Sequence, residues 1–344
     1  MKRLGSALEL LGPVAIVAVV GIAGSFTSRS NEIQFRNTLV AVAIVVALYV
    51  FVGNSGVLSF GHVSFVAVGA FASGIMTLPS DVKPGVLPDM FPLLRDHSMG
   101  NAEGLALAAA LGGAYAFLVG MPLMRLSGLA AGIATFAVLG ITHNVIRNWT
   151  KIGPGAGTLS LVPETTDLLQ ATLGAIALIG IAYAFQRSRL GRMLRATRED
   201  PAAAQAAGIN VHRQRLWAFT LSGALSAFAG ALLVHLLGNI TTEQVYLELT
   251  FLSLAMLVIG GMGSLWGAVL GALLISGFSS FLTNAEDGVD FPFHLDLPTG
   301  TRLVVVGAFM ALVLIVRPSG VTGGKELSLP VARVRSWTRY IRNE

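Results

Sequence analysis

The segment Leu39–Leu78, LVAVAIVVALYVFVGNSGVLSFGHVSFVAVGAFASGIMTL, runs for 40 residues without an Asp, Glu, Lys or Arg. One straight helix of that length would reach about 60 Å at ~1.5 Å per residue, twice the ~30 Å of a bilayer's hydrocarbon layer. The segment must therefore fold back on itself. Asn54-Ser55-Gly56 and Ser59-Phe60-Gly61-His62 interrupt it near the middle and mark the turn. Leu247–Asn284, 38 residues with one charge at Glu248, repeats the pattern around Gly260-Gly261-Met262-Gly263-Ser264.

These two hairpins supply four apolar segments: Leu39–Gly53, Val63–Leu78, Leu247–Gly260 and Ser264–Asn284. Six more lie outside them: Leu8–Phe26, Gly104–Met124, Leu129–Arg147, Leu168–Gln186, Leu216–Gly238 and Thr301–Val316. Only 12% of the 344 residues are charged, half the share usual in soluble domains, and 54% are apolar. The expected fold is an all-α polytopic membrane protein of about ten transmembrane helices, with both termini cytoplasmic. Residues 1–316 form the membrane domain, 187–215 a cytoplasmic loop within it, and 317–344 a basic cytoplasmic tail.

The orientation follows from the basic residues, which collect on cytoplasmic loops. With the N-terminus inside and ten crossings, 16 of the 23 Lys and Arg fall inside, and 13 of the 18 acids outside. The net charge of +5 is thus a topology signal and does not call for nucleic acid. Lys2, Arg3 and the run to Gly24-Ser25 also fit a cleaved signal peptide. An uncleaved first helix is the expectation. The outer loop Pro79–Glu103, with four prolines, reads as connecting sequence, and the tail from Arg317 as a strip against lipid headgroups.

No Asp or Glu lies mid-span, so the groups that drive proton- or sodium-coupled carriers are missing. Zero cysteines and six scattered histidines exclude thiol chemistry and supply no helical metal pair. His143 and His235 fall in spans, where a histidine bonded to a backbone carbonyl is the plain account, and Asn144 offers a helix–helix hydrogen bond. Gly323-Gly324-Lys325-Glu326 fails as a phosphate loop, because Glu326 stands at the Ser/Thr position and Ser319 at the first glycine. A membrane-embedded enzyme would need a polar cluster that the sequence does not contain. A driving force must come from elsewhere.

The loop Arg187–Arg215 carries the sharpest local signals. RSRLGRMLRATR spaces Leu190, Met193, Leu194 and Thr197 helically against five arginines, a pattern that lies on the inner leaflet with arginines toward phosphate. Asp200 then offers an N-cap, Pro201 suits the first helical position, and Gly208 can end the helix in the left-handed conformation. The expected helix is Pro201–Ala207, a smooth alanine knob suited to a groove on another protein, or else a short connector. Gly263, Gly267 and Gly271, with Ser222, Ser226 and Gly230, and Ala108, Gly112, Ala116 and Gly120, put small residues on single faces for close packing. The two breaks read either as plain cytoplasmic turns or as irregular backbone lining a water-filled path. On the second reading Ser59, Gly61, His62, Ser64, Gly260, Gly261, Gly263 and Ser264 line it.

Gly56–Phe71 (GVLSFGHVSFVAVGAF), Gly191–Leu233 and Val258–Leu274 (VIGGMGSLWGAVLGALL) resemble, in order, signatures of the permease subunits of bacterial branched-chain amino acid ABC importers, and Gly153–Pro163 resembles an outer loop of that family. Length and the middle loop resemble the second, longer permease type. The resemblance implies a multi-pass subunit of the bacterial cytoplasmic (inner) membrane that is not an enzyme and holds no cofactor, ATP being bound by partners. The implied partners are a second homologous permease, two cytoplasmic ABC ATPases and an extracytoplasmic solute-binding protein. Glu199, Asp200, Pro201, Ala203, Ala204, Ala207 and Gly208 would then engage the ATPase. Gly208 follows Glu199 by nine positions, wider than in importers at large. The resemblance also leaves open urea, short amides or sugars as cargo, and a self-sufficient channel or carrier stands as the rival from outside the family.

Overall fold

A computed structural model describes residues 2–286, 298, 301–317, 319–324 and 326. In chain order its helices are α1 (Lys2–Ser25), α2 (Arg29–Ser55), α3 (His62–Thr77), α4 (Lys83–Val86), α5 (Pro92–Arg95), α6 (Asn101–Leu123) and α7 (Gly128–Asn148). They continue with α8 (Leu168–Arg187), α9 (Arg189–Glu199), α10 (Pro201–Ala206), α11 (Val211–Leu237), α12 (Leu247–Gly260), α13 (Leu265–Glu286) and α14 (Thr301–Val316). Each of the ten apolar segments falls on one of these helices. Among the described residues six helices, in α2, α6, α7, α8, α11 and α13, are long and apolar enough to cross a membrane. Shorter apolar helices occupy Glu9–Ser25, His62–Thr77, Leu247–Gly260 and Val304–Val313. The fold is an all-helical, multi-pass membrane bundle.

Helix α2 is buried almost all round from Thr38 to Ser55, as expected of a helix without a polar face. It breaks at Gly56, whose φ of 71° only glycine adopts without strain, and the Val57–Gly61 connection leads into α3. Helix α11 packs against α2, α3 and α6, and small residues set its distance from them. A Cβ on Gly112 would stand 2.1 Å from Ala227 Cβ, one on Gly223 2.3 Å from Ala116 Cβ, and one on Gly230 2.1 Å from the Val66 carbonyl oxygen. Gly112, Ala116 and Gly230 serve packing as the sequence indicated. Ser222 instead donates to the Ala47 carbonyl at 2.6 Å, and Gly223 takes the close crossing. Helix α1 docks through Val17, Gly21 and Gly24, the last two against Thr172 and Phe35.

Two local expectations change. The loop Pro79–Glu103 packs on the end of α3, where Met99 N–H donates to the Met76 carbonyl, and is anchored by Lys83, whose ammonium donates to the carbonyls of Leu94 and His97. Burial lowers the Lys83 pKa. At the same end of the bundle, β1 (Thr158–Leu159) pairs antiparallel with β2 (Ile240–Thr241), a contact with no signal in the apolar pattern. His235 lies beneath it, between Ser73 Oγ at 2.9 Å and the Pro163 carbonyl at 2.9 Å. That is the carbonyl-bonded histidine expected. Asn144, in contrast, bonds the Gly140 carbonyl of its own helix, and its side chain faces outward.

The first residues of the tail pack against the bundle. Residues 319–324 and Glu326 return to the second break, where Val321 N–H donates to the Ile259 carbonyl at 2.7 Å and Thr322 N–H to the Gly260 carbonyl at 3.1 Å. His294, Lys325 and the basic residues from Arg333 to Arg342 lie outside the described residues.

Candidate functional site

The loop Arg187–Arg215 forms an arm of two helices. Ser188 caps α9 by accepting from the Gly191 amide, and Asp200 ends α9 while capping α10. Its carboxylate accepts from Ala202 N–H at 2.9 Å and Ala203 N–H at 3.0 Å, satisfying two of the amides every helix start leaves free. Pro201 holds the first helical position and Gly208, at φ 81°, turns the chain out. The helix is one residue shorter than expected, because Ala207 already has the ψ of 6° of a terminal turn.

Orientation corrects the knob. Ala204 is only 5% exposed, turned back against the arm and off the exposed face of α10. Pro201, Ala202, Ala203, Gln205, Ala206, Ala207 and Gly208 are exposed, as are Glu199 and Asp200. The free face therefore carries five small side chains, Pro201, Ala202, Ala203, Ala206 and Ala207, with Gln205 beside them.

The arginines of α9 do not all reach for phosphate. Leu194 and Thr197 face inward as the spacing required, and Leu190 is exposed. Arg195 donates to the Gln186 carbonyl at 2.7 Å, Arg198 to the Gly53 carbonyl at 2.6 Å, and Arg192 to the Arg187 carbonyl at 2.7 Å. Arg187 pairs with Glu9 at 2.5 Å. The arm is bolted to the ends of α8 and α2.

Most residues of both breaks are buried or half-buried within this chain, while Gly56 and Leu58 of the first are exposed. In the first, His62 Nδ1 lies 2.7 Å from Ser59 Oγ, its ring is surrounded by Phe51, Phe65 and Phe219, and Nε2 has no partner. Gly61 is pressed on α7, where a Cβ would stand 2.3 Å from the Thr135 carbonyl oxygen. Ser64 bonds back to the Gly61 carbonyl and also lines a cavity of about 10 Å³ with Thr142, His143 and Thr242, enough for roughly one water. In the second break, Gly261 adopts φ 114° and ψ 101°, and a Cβ on Gly260 would lie 1.8 Å from the Gly267 carbonyl oxygen. Gly263 meets Gly324, and Ser264 caps α13 by accepting from Gly267 N–H at 3.2 Å. The two breaks approach where Gly53 adjoins the Met262 carbonyl. Ser59, His62 and Ser64 are gathered with α7 and α11, whereas Gly260, Gly261, Gly263 and Ser264 are gathered with the tail.

A family model described as the branched-chain amino acid transport system permease component matches residues 32–314. The chain belongs to this family. It is 26% identical over 338 residues to the high-affinity branched-chain amino acid transport system permease protein LivM of Salmonella typhimurium, covering 88% of this chain and 72% of that one. LivM of Escherichia coli K12 gives the same figures. LivH of the same organism is 25% identical over 315 residues, 86% of this chain and 95% of that protein. No solved structure matches. The permease is not an enzyme, and between LivM and LivH it agrees with the LivM type, as its length indicated.

Residues that sequence reasoning passed over are Tyr49, Gln186, Arg195, Arg198, Thr322 and Glu326, which together join the arm to the breaks. Two left a faint trace: Gln186 is a polar residue ending an apolar span, and Glu326 is an acid in a basic tail.

Proposed function

We propose that this chain is the membrane-spanning permease subunit of an ATP-driven importer for branched-chain amino acids in the bacterial cytoplasmic membrane. It crosses the bilayer ten times with both termini inside, which puts the arm, the two breaks and Glu326 on the face where nucleotide is available. It works with a second homologous permease, two ABC ATPases that bind the ATP, and an extracytoplasmic solute-binding protein that delivers cargo. Glu199–Gly208 engages the ATPase through the exposed alanines of α10.

The observation that carries this reading is the arm itself. A capped, almost featureless helix stands out from the bundle while its supporting helix is hydrogen-bonded to α2 and α8, beside the breaks. Such an element transmits displacement and does no chemistry. The path runs along α3 and α7, where Gly61 meets Thr135 and Ser64 meets Thr142 and His143, with Ser59 and His62 beside them. Helix α7 carries Asn144 and Asn148 on its outward face, and amide groups in the span of a membrane helix favour a protein or water neighbour over lipid. The second permease covers that face. Gly260, Gly261, Gly263 and Ser264 form the hinge beside the path.

The test is reconstitution of this chain with its partner permease, ATPases and binding protein in liposomes. Labelled leucine, isoleucine and valine should accumulate only with ATP inside the ATPase compartment and binding protein on the opposite side. Accumulation by the lone subunit, or of urea, amides or sugars in place of these amino acids, would overturn the assignment.

A further inference from the structure

Four donors converge on one carboxylate at the cytoplasmic end of the bundle. Glu326 Oε1 accepts from Gln186 Nε2 at 3.0 Å and from Leu265 N–H at 2.8 Å. Its Oε2 accepts from Ser264 Oγ at 3.0 Å and, more weakly, from Trp266 N–H at 3.5 Å. Leu265 and Trp266 open α13, so Glu326 satisfies the orphan amides there and sets a negative charge against the positive end of the helix dipole. The segment that carries Glu326 is itself fixed to α12: Val321 and Thr322 bond to Ile259 and Gly260, and Thr322 Oγ1 adds a bond to the Gly260 carbonyl at 2.8 Å.

Gln186 gives this cap a second meaning. Its side-chain oxygen accepts from Tyr49 OH at 3.1 Å, while its backbone carbonyl accepts from Arg195 of the arm at 2.7 Å. Tyr49 and Gly53 belong to α2, and Gly53 holds Arg198 of the arm. A continuous chain of polar bonds therefore runs from α9 through Gln186 and Glu326 to the start of α13. Gln186 and Tyr49 are buried and Glu326 is half-buried, so releasing the Gln186 side chain leaves polar partners unpaired in a largely apolar surrounding.

We propose that Glu326 and Gln186 are positioning residues for transport, forming a strut that carries movement of the ATPase-engaging arm to the hinge of the second break. This rests on the importer reading and adds to it the element that links the two sites. A helix cap alone would need Glu326 but not Gln186. A strut needs both, since only Gln186 reaches the arm.

The experiment uses the whole reconstituted complex and records ATP hydrolysis and amino acid uptake in the same vesicles. Gln186→Leu removes the link and leaves the cap, and Glu326→Ala removes both. Each variant is expected to raise the ATP consumed per molecule imported about fivefold or more, with ATP turnover per assembled complex within about twofold of wild type. A wild-type ratio in Q186L would overturn the strut and reduce Glu326 to a cap. So would uptake and hydrolysis falling in parallel with the amount of assembled complex. Gln186→Met, which keeps the side chain's length, replaces Q186L if that variant fails to assemble. If wild-type complex shows no ATP-driven uptake, the importer reading fails instead, which separates the two outcomes.

Discussion

Gly271 of α13 faces α12 across a close backbone approach beside the second break. A Cβ added there would lie 2.0 Å from the Met256 carbonyl oxygen and 2.8 Å from Gly260 Cα, both backbone atoms that no rotamer change can move. Restoring ordinary contact requires the helices to part by roughly 1–1.5 Å. Overpacking of this kind costs about 1–3 kcal/mol. Two turns further along α13, Gly277 has no atom within 4 Å of its would-be Cβ. Alanine there removes the conformational freedom of a helical glycine and favours the fold by about 0.5–1 kcal/mol. The same substitution on one helix should therefore act with opposite signs. In a thermal assay on detergent-solubilised protein, at about 2–4 °C per kcal/mol, Gly271→Ala should lower the midpoint by several degrees and Gly277→Ala should leave it level or slightly raised. Uptake should fall in the first alone, because the hinge is also the docking site of Val321 and Thr322. Equal stability of the two variants would refute the close crossing of α12 and α13.

Asp200→Ala removes both bonds of the α10 cap, worth about 0.5–2 kcal/mol, on a helix too short to persist alone. Apparent affinity for the ATPase subunits should weaken by up to ~10-fold, and Asp200→Ser should restore most of it. Ala203→Arg, on the exposed face, should block ATPase binding without lowering the permease's own thermal midpoint, whereas Ala204→Arg should lower that midpoint because the side chain has no room against the arm. Cysteines at Ser59, His62 and Ser264, all buried, should be inert to thiol reagents in the resting complex and become reactive during ATP turnover; inertness throughout would remove them from the path and hinge. Burial lowers the Lys83 pKa, so between that value and the free value of 10.5 the unfolded chain binds more protons than the folded one, and Lys83's contribution to stability rises with pH. Limited proteolysis of residues 79–103 should slow, relative to Lys83→Met, as pH is raised across that interval.

The cap, the proline and the glycine of α10 were legible because each acts within three or four residues along the chain. The direction of Ala204 was not, since a run of alanines carries no asymmetry and only the packing of α10 on α9 breaks the tie. The arginines of α9 show the same division. Their helical spacing is a local property, but Arg198 meets a carbonyl 145 positions away, and nothing in RSRLGRMLRATR distinguishes that partner from a lipid phosphate.

By itself the sequence determined that this is a multi-pass membrane bundle, where its apolar helices lie, where two of them are interrupted, and that an arm with a capped helix separates its halves. Hydropathy, charge asymmetry and capping chemistry are read over short windows, so they need no knowledge of which helices touch. Only the tertiary structure decided that Glu326, 60 to 140 positions from its partners, closes α13 onto Gln186, and that the tail's first residues pack on the second break. A lone carboxylate in a basic stretch has no periodicity. Its role arises when folding brings the free amides of a helix start, a buried glutamine and a serine within reach of the same two oxygens.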